Sequence, residues 1–177
     1  MARHFLPHCH LPVAEDLSCP LRSAPDLPEA ERLVGLGFRY WMHGHVRGDV
    51  TSWERAWNLY SGVFGITGGK VAISRLAGWV GTLGRTGQRE IAVSPRACPG
   101  FCRDECVAIS MIAACQHQTC PAMRACAFAL VESALIDDVV ERAQDFADSL
   151  TGLDYILSPA SIVAAPASLP MAGRLAH

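Results

Sequence analysis

Apolar residues recur at helical spacing over most of the chain between residues 26 and 157, and nowhere alternate over a useful strand length. A first helix opens in "APDLPEAERL", with Asp26 as cap, Pro28 in the first turn and Glu29 at the positive helix end. Leu33, Leu36, Gly37, Tyr40 and Trp41 carry it to the "HGH" at 43–45. A second helix, capped by Thr51 or Ser52, sets Trp53, Trp57, Tyr60 and Phe64 in one aromatic stripe until "GITGG" ends it. A third, over about 69–84, aligns Ile73, Leu76, Val80 and Leu83 and stops at "GRTG". After an extended linker, "GFCRDECVAISMIAACQ" and "CPAMRACAFALVESAL" each read as a helix. The last, from Ile136, places Val139, Val140, Ala143, Phe146, Ala147 and Leu150 on one face, the cleanest amphipathic pattern in the sequence. The fold predicted is all-α: one compact domain of about six helices over 26–157, between flexible extensions at 1–25 and 158–177.

Composition narrows the class. The chain has 177 residues, half of them apolar, enough for one core and too few to expect two. Its net charge is −2, and the arginines are scattered without a basic stripe, so no nucleic-acid footprint is present. The longest apolar runs are about half the ~20 residues a membrane span needs, and no export signal is read at the N-terminus. The cytoplasm is the expected compartment, where thiols stay reduced and structural disulfides are disfavoured.

Six of the eight cysteines fall between Cys98 and Cys126. Cys102 and Cys106 stand one helical turn apart on one face, and Cys98 precedes them by the same step. Cys115 points away on a continuous helix. Cys120 opens the next helix before Pro121, and Cys126 lies inside it. Cys98, Cys102 and Cys106, completed by Cys120 or Cys126, form a candidate set of thiolates for zinc or an iron–sulfur cluster. A helix N-terminus near 99–102 is expected to lower the pKa of Cys98 or Cys102. The spacing lacks the C-x2-C pair of most zinc ribbons and ferredoxins. Small buried cysteines packing between close helices explain the same residues without any metal.

Three cysteines precede proline (Cys19, Cys98 and Cys120), a pairing similar to haem-regulatory motifs; proline in a first helical turn accounts for Pro99 and Pro121 without haem. "RHFLPHCH" gathers His4, His8, Cys9 and His10 near Cys19, a composition that captures transition metals adventitiously. His43 and His45 suit the negative end of the first helix. Asp104 and Glu105 read as ordinary first-turn acids, as do Asp137, Asp138 and Glu141. No phosphate loop, dinucleotide fingerprint, nucleophile elbow or His-Glu-x-x-His motif is present.

"RYWMHGH", "SWERAWNLYSGVFG", "CPGFCRDECVAISMI" and "RACAFALVESAL" together resemble a group of small α-proteobacterial proteins of unknown function. The similarity spans about residues 30–156. It departs where Gly100 and Phe101 separate Pro99 from Cys102, and in the added Cys106, Cys115, Cys120 and Cys126. What it implies is the helical fold and the cytoplasmic setting, with no activity attached.

Three functional readings follow. The first is a non-enzymatic accessory or regulatory protein holding a metal ion or cluster through the 98–126 cysteines. The second is a cofactor-free helical module for a protein partner or a second copy, its cysteines serving as core. The third is a thiol- or haem-responsive sensor built on Cys102 and Cys106. An enzyme is the least favoured class, because no acid–base or nucleophile–base constellation assembles from the sequence.

Overall fold

The computed structural model describes residues 26–162. It is all-α, with helices α1 (Glu29–Arg47), α2 (Val50–Thr86), α3 (Arg103–Gln116), α4 (Cys120–Val131) and α5 (Ile136–Thr151), then a 3-10 turn at Pro159–Ser161. Residues 1–25, with His4, His8, Cys9, His10 and Cys19, lie outside the described residues.

Two of the expected helices run together as α2, through a bend at Gly65, where φ is 70° and ψ 179°. That backbone conformation is essentially confined to glycine, which is why the break falls at the first residue of "GITGG". The bend brings the two halves into contact. A Cβ at Gly69 would lie 2.9 Å from Ser61 Cα, whereas eight residues of straight helix span about 12 Å. The cap of α2 is Asp49, which accepts from Thr51 N–H at 3.1 Å and Ser52 Oγ–H at 2.8 Å, rather than Thr51 or Ser52 themselves. Asp26 does not cap α1; Pro28 precedes its first turn without a side-chain cap bond.

The first half of α2 packs back along α1 in a regular register. Gly37 lies under the Tyr60 ring and Gly44 under Trp53, seven residues apart on both helices. A Cβ at Gly37 would come 2.3 Å from Tyr60 Oη, so the close approach requires glycine. The second half packs on α5, where Trp79 and Phe146 stack at 6.0 Å and Phe38 of α1 meets Trp79 at 5.4 Å. Helices α3 and α4 close the bundle over α5. Of the predicted apolar face, Val139, Ala143, Phe146, Ala147 and Leu150 are buried, while Ile136 and Val140 are half-buried at its edge.

Two irregular segments complete the domain. Residues 87–102 cross from α2 to α3, and residues 152–162 run from α5 back over α3 and α1. Gln116 and His117 at the end of α3 hold this second strap. Gln116 Nε2–H donates to Tyr155 O, its Oε1 accepts from Leu157 N–H, and His117 Nε2 meets Leu157 O at 2.8 Å. The buried Glu31 carboxylate of α1 accepts from Ser158 N–H and Ser161 Oγ–H.

Candidate functional site

Helix α3 starts at Arg103, so Cys102 is its N-cap and Cys98 lies in the preceding loop, outside the helix. Pro99 is therefore not a first-turn proline, whereas Pro121 is. The Cys102 thiol donates to Ala92 O at 3.3 Å. Cys106 faces Phe101 O at 3.9 Å. Cys126 donates to Ser110 Oγ at 3.6 Å across the α3–α4 seam. Cys102, Cys115 and Cys126 are buried, Cys98 and Cys106 half-buried, and Cys120 exposed; all six are free thiols.

The electrostatics of Cys102 run opposite to the sequence expectation. Burial first, and the Glu105 carboxylate next, push its thiol up to about 12, against the pull of the Asp104 and Glu105 backbone N–H groups. The helix N-terminus is outweighed chiefly by burial of the thiol, with the negative Glu105 carboxylate adding to it. Burial likewise pushes Cys115 up to about 12, with Cys126 adding to the effect, and raises Cys126. These are protonated thiols at neutral pH. Among the described residues no three His, Cys, Asp or Glu side chains are grouped as a metal site needs. The candidate ligands Cys98, Cys102, Cys106, Cys120 and Cys126 are thus not brought together as a set of three or more in this structure.

What the cysteine segment does contain is a buried ion pair. Arg39 of α1 and Glu105 of α3 are both wholly inaccessible to solvent, with Arg39 Nε 2.6 Å from Glu105 Oε1. Glu105 accepts four further bonds, from Arg39 Nη2, Ser94 N–H, Ser94 Oγ–H and, at 2.7 Å, Cys102 N–H. Arg39 also donates to Cys98 O and Gly100 O, and its guanidinium lies 4.9 Å from the centre of the Phe101 ring. One step outward, Asp104 accepts both terminal nitrogens of Arg89 at 2.8 Å and Ala92 N–H at 2.8 Å. His43 Nε2 meets Ser94 O at 3.0 Å.

No family model, no curated protein and no solved structure matches this chain. Its function is therefore read from its own geometry.

That geometry reassigns the "RDEC" motif. Asp104 and Glu105 fasten loop 87–102 to the helices. Sequence reasoning missed Arg39, Arg89 and Ser94 altogether. One signal was present: Arg39 lies four residues from Gly35 and next to Phe38, a charged residue among core-facing positions of α1. A shallow groove of about 60 Å³ lies elsewhere, lined by Glu29, Arg32, Leu33, Leu36, Leu59, Val63 and Tyr155. No helix of the described residues is long and apolar enough to cross a membrane.

Proposed function

We propose that this protein is a non-enzymatic helical accessory module that acts by binding another protein, with its cysteines serving as core. The observation that carries this reading is the state of Cys102, Cys115 and Cys126: buried, with raised pKa values, and in two cases hydrogen-bonded inside the fold. A thiol so placed is a small hydrophobe rather than a ligand or nucleophile. The interior charges are likewise committed to fastening loops. Large apolar side chains meanwhile stand outside, Phe128 and Leu135 among them, more than half exposed, and these are positions a partner would cover.

The reading in which residues 98–126 hold zinc or an iron–sulfur cluster keeps one supporting feature, the half-buried Cys98 and Cys106 on either side of Cys102 at four-residue steps. One experiment decides between the two. The full chain is purified without oxygen, its zinc, iron and sulfide are measured, and its thiols are titrated with a chromogenic disulfide before and after urea. Core packing predicts substoichiometric metal and three thiols that react only on unfolding. Stoichiometric metal, lost in Cys102→Ser, would overturn it in favour of the metal centre.

A further inference from the structure

Helix α4 packs against α3 and α5 through Met123, Cys126, Ala127, Leu130 and Val131, all buried. Its opposite face is exposed. Pro121, Arg124, Ala125 and Phe128 recur there at helical steps and form one stripe. Glu132, the C-cap, extends the stripe by four residues, and Leu135 stands just past the helix. Phe128 is 55% exposed and Leu135 62%. Arg124 and Glu132 are the only charged residues between Cys120 and Leu135.

Those two charges are opposite in sign and lie four residues either side of Phe128. A parallel pairing of two α4 helices would set Arg124 level with Arg124 and Glu132 level with Glu132. An antiparallel pairing about a twofold axis at Phe128 sets each Arg124 level with Glu132 of the second copy, and Phe128 against Phe128. Each charge also has a partner in its own chain. Arg124 Nη1 lies 2.6 Å from Asp137 Oδ1, and Glu132 Oε1 lies 3.5 Å from Arg89 Nε. Neither neighbour opposes the pairing, because the row Asp137, Arg124, then Glu132 and Arg89 of the second copy alternates in sign. The face is complementary to itself in charge, around an apolar centre.

We propose that α4 is a homodimer interface, two copies of this chain packing it antiparallel around Phe128. The inference rests on the reading of the protein as a binding module and names a second copy as the occupant of the Phe128 face. One helix face buries less than the ~800 Å² per partner of a standard interface, so the association is weak and concentration-dependent.

Sedimentation equilibrium of the full chain, from micromolar to near-millimolar concentration, tests it, with thermal melts to show that each variant folds. The wild type should give a monomer–dimer equilibrium, and Phe128→Asp should stay monomeric throughout. Arg124→Glu and Glu132→Arg each turn two attractions into two repulsions and should weaken self-association about tenfold. Mixed in equal amounts, these two variants regain opposite charges at both sites and should recover the dimer. Loss of the Asp137 or Arg89 contact alone would not be repaired by mixing. A monomeric wild type would overturn the proposal. So would a dimer indifferent to Phe128→Asp, or a mixture no more associated than its components. The thiol titration reads the core cysteines separately, so a monomer would discard the second copy without touching that reading.

Discussion

Replacing Glu105 by Gln tests the centre of the molecule at constant shape. The carboxylate receives five hydrogen bonds, two on Oε1 from Arg39 Nε and Ser94 N–H, and three on Oε2 from Arg39 Nη2, Cys102 N–H and the Ser94 hydroxyl. A glutamine must put its NH2 on one side or the other. On the first side it strands Arg39 Nε and Ser94 N–H; on the second it strands Arg39 Nη2 and Cys102 N–H, since only the serine hydroxyl can turn round. Either way two buried donors lose their acceptor, at ~1–3 kcal/mol each. The guanidinium also keeps its charge without a counter-charge, so the expected loss is ~3–5 kcal/mol. Urea unfolding at pH 7, with the denaturant slope compared between proteins, measures it. A double replacement, Arg39→Met with Glu105→Leu, removes both charges and should cost less than the two single changes together. A Glu105→Gln loss below about 1 kcal/mol would refute the assignment of the pair as the fastening of loop 87–102, because that is the range of an unremarkable surface change.

Two further expectations follow from the same geometry. Cys102 and Cys115 stay protonated in the fold up to about 12, whereas an unfolded-chain thiol ionises near ~8.5. Their stabilisation is therefore complete below that lower value and is lost as pH rises toward the upper one, by at most ~1.4 kcal/mol per unit per thiol. Urea midpoints at successive pH values should fall less steeply in Cys115→Ala than in the wild type, and equal slopes would contradict the burial argument. At Gly65, alanine must adopt a glycine-only backbone and should cost ~1–3 kcal/mol. At Gly62, helical and with nothing within 4 Å of an added Cβ, alanine should instead stabilise by ~0.5–1 kcal/mol. Thermal melts of the two variants check the opposite signs.

The helices were legible wherever one face alone decides burial. The Ile136 helix and the "GITGG" break were both readable, because periodicity and glycine chemistry are local. Helix starts were less so: Asp49 caps α2 from just outside the apolar pattern, where Thr51 and Ser52 looked equally able. Glu105 was misread for a stronger reason. By sequence it is one more first-turn acid, and its burial is decided by Arg39, 66 residues away. The cysteines show the same divide. Their four-residue steps set which thiols share a helix face, but the direction of each Sγ depends on a loop that no periodicity describes. The expected acidic thiol at Cys102 failed because the fold buries it and sets the Glu105 carboxylate beside it, neither of which the local sequence shows.

One carboxylate closing the first turn of α3 while neutralising α1 has a consequence for how the molecule opens. An ordinary helix start frays alone and exchanges its amide protons quickly. Here the Cys102 amide cannot be released from Glu105 without exposing Arg39 as well, so the beginning of α3, the middle of α1 and Ser94 must open as one cooperative unit. The amides of Ser94 and Cys102 should then exchange at rates near those of the central core, although both lie outside regular helix. Cutting the chain within 87–102 would separate Arg39 from Glu105, leaving neither fragment able to complete that unit.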